Sequence, residues 1–159
     1  MGNLTVREVV TDVIAKVAPD ELPLLAGLEP IDDAGADRVL TRRARGRDPL
    51  GFGLDTVVSL VTPVLWIVLT DVAREGVTNV AMGVLARMKR RLRRWLNRRR
   101  PMTLPPLDPA QVRHVRSMIL TRCAAAGIDD ARAAQIADAV AVRLMLGTTS
   151  GDAAAGPTT

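Results

Sequence analysis

Apolar side chains recur at intervals of three and four residues along most of this chain, which is the spacing of one helix face. The first stripe lies in residues 4–17 and comprises Val6, Val9, Val10, Val13, Ile14 and Val17. Thr5 and Glu8 stand at its start in the order of a capping box, in which each side chain accepts the other residue's backbone N–H. The pattern predicts an amphipathic helix with a well-defined beginning.

Two further helical elements are predicted before the centre of the chain. Residues 19–27 indicate a short helical turn that Gly27 ends, and the pair Asp32-Asp33 can cap a third helix that reaches about Arg43. In this third helix we expect Val39 and Leu40 to face inward. Residues 42–53 combine arginines with Asp-Pro and two glycines, which is typical of a hinge.

Residues 54–69 form the most apolar run of the chain, and no residue from Thr56 to Thr70 is charged. We interpret about 54–71 as a helix, with a kink at Pro63 because proline removes one backbone hydrogen bond. A membrane-spanning helix needs about 20 apolar residues. The length therefore favours a buried core helix, or a re-entrant or shallow membrane segment, over a full span.

Residues 72–96 carry the longest periodic pattern, and its second half is strongly basic. Residues 87–100 contain nine basic residues and no acidic one. This composition predicts a long amphipathic helix with a cationic C-terminal half, a position that the helix dipole favours for positive charge. Asn97 and Pro101 mark its end.

The C-terminal third of the chain predicts a helical hairpin. Prolines make 101–109 an extended linker that would let the hairpin sit apart from the centre. The two arms are expected at about 109–126 and 130–146, with Gly127 between them and Asp129 as an N-cap. Gly147 would end the second arm, and the following residues should form a disordered tail.

These elements predict an all-α fold in which small helical modules flank a central hydrophobic helix and a long basic amphipathic helix. The expected divisions are an N-terminal helical module (1–47), the hydrophobic and basic helices (48–100), a Pro-rich linker (101–109), a helical hairpin (110–147) and a disordered tail (148–159).

The net charge of +5 conceals an asymmetry, because residues 87–100 carry nine positive charges and the rest of the chain therefore carries −4. This is a mildly acidic chain with one concentrated basic site. Its single cysteine cannot form an internal disulfide, and no secretory signal is visible, so we expect a cytoplasmic protein. The preference for arginine over lysine is typical of bacteria with GC-rich genomes.

Catalytic and metal-binding chemistry has little support in the sequence. The chain has one histidine and one cysteine, His114 and Cys123, and nine helical steps of about 100° place them on opposite faces. We interpret His114 as an exposed helix residue, Cys123 as a small core residue, and the acidic pairs at 20–21, 32–33 and 129–130 as helix caps. We expect no enzyme activity, no cofactor and no metal.

Three functions remain open. The first is a non-enzymatic accessory or adaptor protein at the inner face of the cell membrane, whose basic helix binds anionic lipid. Its N-terminal module or hairpin would bind a protein partner. The second is a helical bundle that serves as a protein-interaction module, with 54–71 as its core helix. The third is nucleic-acid binding through 87–100, which has Trp95 but no interleaved aromatics and no helix-turn-helix motif.

The candidate site residues fall into two sets. The candidate lipid- or anion-binding residues are Arg87, Lys89, Arg90, Arg91, Arg93, Arg94, Arg98, Arg99 and Arg100. The residues expected either to insert into a membrane or to form the core are Val57, Val58, Leu60, Val61, Val64, Leu65, Trp66, Ile67, Val68, Leu69 and Trp95.

Overall fold

The computed structural model describes residues 4–44, 61–75 and 101–152, and it confirms an all-α fold for them. Its helices are α1 (Val6–Val17), a 3₁₀ turn (Pro19–Glu21), α2 (Leu22–Leu28), α3 (Asp33–Ala44), α4 (Val61–Glu75), α5 (Pro109–Ala125) and α6 (Asp130–Asp152). Four predicted features lie wholly or partly outside the described residues: the hinge from residue 45 onward, residues 54–60 of the hydrophobic helix, the amphipathic helix (72–96) from residue 76 onward with the basic residues up to 100, and the tail from 153.

The helix starts follow the capping chemistry of the sequence. The Thr5 hydroxyl accepts the Glu8 N–H, and the Glu8 carboxylate accepts the Thr5 N–H at 2.8 Å, which confirms the capping box of α1. Hydrogen bonds from the backbone N–H of Thr5 and, to a smaller extent, from its hydroxyl stabilise the Glu8 carboxylate and lower the pKa of Glu8 below its ordinary value. Asp129 accepts the Arg132 N–H at 2.9 Å and caps α6 as predicted.

Two predicted helix ends were wrong. Helix α2 continues through Gly27 to Leu28, and α6 continues through Gly147 to Asp152, into the stretch predicted as a disordered tail. A Cβ at position 147 would lie 2.1 Å from Leu4 Cδ1. The glycine therefore permits a close approach between α6 and Leu4 inside the helix instead of ending it.

Two predictions about single residues also need correction. Val39 is 42% exposed, because the inner stripe of α3 runs through Asp33, Ala36 and Leu40 at spacings of three and four residues and leaves Val39 to one side. Pro63 is the third residue of α4, where its missing N–H removes no intrahelical hydrogen bond, so the expected kink in mid-helix does not arise.

The core is one cluster of aliphatic side chains, with α4 at its centre. Helices α1, α3 and α5 all pack against α4, while α6 packs against α1 and α5. The apolar stripe of α1 is fully buried from Val6 to Ile14, and Val17 at its end is half-buried. Apart from Trp66 and Cys123, the core volume is filled by valine, leucine, isoleucine and alanine.

Residues 101–108 pack against the start of α1, and the hairpin does not sit apart from the centre as predicted, because its helices pack against α4 and α1. Thr103 forms an antiparallel β-bridge with Thr5, and the Leu104 N–H donates to the Leu4 carbonyl at 2.7 Å. Leu104 and Leu107 are buried in the common core. The prolines of this stretch thus fit an extended segment that is packed against the bundle.

Candidate functional site

Only some of the candidate site residues lie in the part of the chain that the structure describes. All nine basic residues of 87–100, together with Val57, Val58, Leu60 and Trp95, lie outside the described residues. The other seven apolar candidates all belong to α4: Val61, Val64, Leu65, Trp66, Ile67, Val68 and Leu69.

Helix α4 is covered by the protein's own side chains. Leu65, Trp66, Val68 and Leu69 are completely buried, Val61 and Val64 are almost so, and only Ile67 is half-buried. Of the two expectations for these seven residues, core and membrane insertion, the structure places them in the core. Within 4–44, 61–75 and 101–152, no helix is both long enough and apolar enough to cross a membrane.

Helix α3 holds both described ends of the stretch that contains the basic residues. Asp37 binds the Arg74 guanidinium, with 3.1 Å between its carboxylate oxygen and Nη2, near the end of α4. Asp33 accepts the Met102 N–H at 2.7 Å, where the chain is described again. Because Asp33 and Asp37 are four residues apart, they lie on neighbouring turns of one helix face. The stretch 75–101 therefore starts and finishes beside the same part of α3.

Arg7 joins this anchoring point to the core. Its guanidinium donates to Asp33 at 3.0 Å, to the Ile31 carbonyl at 3.0 Å and to the Leu28 carbonyl at 3.1 Å. Its Cζ also lies 5.4 Å from the centre of the Trp66 ring, within the range of a cation–π contact. One side chain thus ties α1 to the turn before α3, to Asp33 and to α4.

Glu21 supplies the N-terminal cap of α4 from a distant part of the chain. Its carboxylate accepts the Thr62 N–H at 2.7 Å and the Val61 N–H at 3.1 Å, and the residue is only 4% exposed. The first backbone N–H groups of a helix have no intrahelical acceptor. We expected the pair Asp20-Glu21 to cap its own helix, so this role of Glu21 is a correction.

Three buried polar atoms of α4 have no hydrogen-bond partner among the described residues: Thr62 Oγ1, Trp66 Nε1 and Thr70 Oγ1. Their four-residue spacing places them on one stripe of the helix. A buried hydroxyl without a partner costs about 1–3 kcal/mol of desolvation free energy. This stripe therefore lowers the stability of an otherwise apolar contact surface.

We expect Thr62→Val and Thr70→Val each to raise the free energy of unfolding by about 1 kcal/mol, because valine keeps the branched shape and removes the unpaired hydroxyl. Urea denaturation measures the change. Thr121→Val is the matched control, because the Thr121 hydroxyl is exposed and donates to the Ser117 carbonyl at 3.0 Å. A loss of stability in both α4 variants would contradict the assignment of unpaired hydroxyls.

The described residues hold no arrangement for nucleophilic or metal chemistry. Cys123 is fully buried, and this burial raises the pKa of its thiol, whereas His114 is exposed. Both positions agree with the sequence interpretation of these two residues. In the described ranges, no group of three or more His, Cys, Asp or Glu side chains is placed to hold a metal ion.

Comparisons with protein families, with curated proteins and with solved structures find no match for this chain. The candidate site consists of a basic stretch, 87–100, which lies along the chain between two residues that are bonded to α3, Arg74 and Met102, and of a bundle that buries the described part of its apolar helix.

Proposed function

We propose that this protein is a non-enzymatic helical accessory protein that binds an anionic membrane surface through the basic residues of 87–100. The observation that carries the proposal is the uneven distribution of charge along the chain. Nine positive charges without an acidic residue occur within fourteen positions, while the rest of the chain is net negative. Each basic residue near an anionic leaflet contributes up to about 1 kcal/mol of binding free energy.

In this proposal the binding is peripheral, and residues 61–69 stay in the bundle. Moving α4 into a bilayer would expose the apolar side chains of α1, α3 and α5 that pack against it. It would also break the bonds of Glu21 to the first turn of α4. Electrostatic attraction to lipid headgroups requires neither change, because the basic residues belong to a different stretch.

The anchoring on α3 supports the same function. Asp37 and Asp33 fix the chain on the two sides of the basic stretch, at Arg74 and at Met102. A membrane that binds this stretch is therefore coupled to the folded bundle on both sides. The bundle would then carry a protein partner to the membrane, at the cytoplasmic face.

Sedimentation with vesicles tests the proposal. We expect the protein to pellet with vesicles that contain phosphatidylglycerol and not with pure phosphatidylcholine. Reversing four charges, with Arg90, Arg91, Arg93 and Arg94 changed to Glu, should weaken the apparent affinity roughly tenfold or more, even after allowance for non-additive contributions.

The matched control reverses four arginines outside the basic stretch, at the exposed positions Arg38, Arg42, Arg43 and Arg132. Both quadruple variants have the same net charge, so a specific role of 87–100 predicts a large loss only for the first. Equal losses would mean that binding depends on total charge and would contradict the proposed site.

A second candidate is a protein-interaction module, and the burial of α4 favours it, because a bundle that covers its own apolar helix needs no lipid. In this case the basic stretch binds an acidic protein. This candidate predicts that the protein binds vesicles of no composition. The remaining alternative, nucleic-acid binding, predicts a gel shift that weakens steeply with salt.

A further inference from the structure

Helix α3 is held in the bundle by fewer apolar contacts than α1, a helix of the same length. Both helices have twelve residues, but α1 buries five apolar side chains, whereas α3 buries two, Ala36 and Leu40. The third buried side chain of α3 is the charged Asp33. Because the hydrophobic contribution is roughly proportional to the apolar area removed from water, α3 is bound to the bundle less tightly than α1.

Helix α3 lies along a ridge of α4 that carries the polar atoms without partners. Four residues of α4 follow one another at four-residue spacing and form what we call the α4 ridge: Thr62, Trp66, Thr70 and Arg74. Arg74 binds Asp37 of α3 at 3.1 Å. The Trp66 ring lies under the Arg7 guanidinium, which binds Asp33 of α3 at 3.0 Å. These two links, together with the packing of α3 on α4, place α3 over the ridge.

Moving α3 away would relieve a free-energy cost in the α4 ridge. The Thr62 and Thr70 hydroxyls and the Trp66 indole N–H are buried without a hydrogen-bond partner among the described residues. Water supplies a partner to each group that becomes exposed, so exposure recovers the desolvation free energy of that group. The polar atoms of the ridge therefore favour an open position of α3, whereas the apolar contacts of Ala36 and Leu40 favour the closed one.

The two ends of α3 are held unequally. At the N-terminal end, Asp33 accepts N–H groups from Arg7 and Met102, and its side chain is only 9% exposed. One turn further on, the bond to α4 is the ion pair of Asp37 and Arg74, whose side chains are 21% and 29% exposed. Partly exposed ion pairs contribute little to stability. The N-terminal end is therefore the fixed one, and the rest of α3 is held weakly.

We propose that α3 is a lid on the α4 ridge, which pivots at Asp33 and opens while α1, α4, α5 and α6 stay folded. The ion pair of Asp37 and Arg74 is its latch, and Thr70, one turn before Arg74, becomes exposed when the lid opens. Opening exposes only the surface between α3 and α4, so it requires less free energy than global unfolding. The lid controls the access of water and of solutes to the polar part of an otherwise apolar helix.

Thiol labelling measures the opening. Thr70→Cys introduces a thiol of nearly the same size at the buried position beneath the lid, and Cys123, which is buried in α5, is the internal control for exposure of the rest of the bundle. When closing is faster than labelling, each labelling rate reports the population of the form in which that thiol is exposed. We expect the thiol at 70 to react at least about tenfold faster than Cys123, after division by the rates in the unfolded chain. Equal rates would overturn the lid, since global unfolding would then expose both positions.

Three further substitutions in the chain with Thr70→Cys assign the opening to α3. Asp37→Asn should raise the labelling rate at 70 by about threefold because it removes the latch, whereas Asp138→Asn, which removes an exposed ion pair of α6, should leave it unchanged. Val115→Ala, which creates a cavity in the core, should raise the rate of Cys123 by about tenfold and leave the rate at 70 unchanged. An unchanged rate at 70 in Asp37→Asn, or a parallel rise at both thiols in Val115→Ala, would contradict the proposal.

Amide exchange of the chain with its native Thr70 provides an independent test. A twelve-residue helix is marginal on its own in water, so α3 amides such as that of Leu40 exchange when the lid opens. They should exchange at least about tenfold faster than amides in the middle of α5. Thr70→Val should slow them by about fivefold, because valine removes the hydroxyl whose hydration favours the open form.

Two exchange results would overturn the lid. Unchanged α3 exchange in Thr70→Val would show that the ridge stays covered when α3 amides open. Equal exchange in α3 and α5 would show that α3 does not open separately. No vesicles are present in these measurements, so their outcome is independent of the proposed function.

Discussion

Replacing Arg7 with alanine is expected to lower the free energy of unfolding by about 4 kcal/mol, because it leaves the buried Asp33 carboxylate without its cationic partner. The change also removes the donors to the Leu28 and Ile31 carbonyls and the cation on the Trp66 ring. Urea denaturation at constant m-value measures the loss as a lower midpoint. Arg7→Lys should lose roughly half as much, since an ammonium group keeps the charge but cannot reach all of these acceptors.

Arg116→Ala is the control, since Arg116 also binds an aspartate, Asp138, at the shorter distance of 2.6 Å. Both partners of that pair are exposed, and an exposed ion pair contributes about 0–1 kcal/mol. We therefore expect a small effect at Arg116 and a large one at Arg7. If Arg7→Ala and Arg116→Ala lowered the free energy of unfolding by similar amounts, this would contradict the view that burial, and not a short N–O distance, makes the Arg7–Asp33 pair stabilising.

The features that the sequence predicted well are local. The capping box of Thr5 and Glu8 depends on residues three positions apart, and the stripe of α1 depends on spacings of three and four. In such cases the residues that interact are already neighbours along the helix, so the order of residues alone determines the geometry. Asp129 and the turn at Gly127, whose φ is 77°, follow the same logic.

The features that the sequence did not reveal join distant residues. The bonds of Arg7 reach residues 21 to 26 positions away, and those of Glu21 reach residues 40 and 41 positions away. A charged residue on a helix is usually an exposed one. Nothing in the local pattern distinguishes Arg7, Glu21 or Asp33 from such residues, because their roles depend on how the helices pack.

The candidate site shows the same division. The concentration of charge in 87–100 can be counted from the sequence. The bonds of Asp37 to Arg74 and of Asp33 to Met102, before and after that stretch, depend on the packing of α3 against α4 and residues 101–104 and could not be predicted. For α4, apolar composition predicts removal from water but does not specify whether protein or lipid provides the cover. The structure assigns the cover of residues 61–69 to the protein's own helices.

Replacing Glu21 with alanine is the second change with a large expected effect, a loss of about 3 kcal/mol of unfolding free energy. Hydrogen bonds to a charged acceptor contribute about 1.5–3 kcal/mol, and two buried N–H groups of α4 would lose their acceptor. Glu21→Gln should lose roughly 2 kcal/mol, because only one of the two amide atoms can accept a hydrogen bond. Asp20→Asn, at the exposed neighbouring position, is the control and should have almost no effect.

Amide hydrogen exchange distinguishes a lost cap from a general loss of packing. If Glu21 acts on the first turn of α4, the amides of Val61 and Thr62 should exchange faster in Glu21→Gln than global unfolding explains, while amides in the middle of α5 follow the global change. Uniform acceleration along α4 and α5 would mean that Glu21 supports the core without a specific capping role. Unchanged stability of Glu21→Gln would show that the two bonds to α4 contribute little, and that the apolar contacts of this helix suffice to hold it in the bundle.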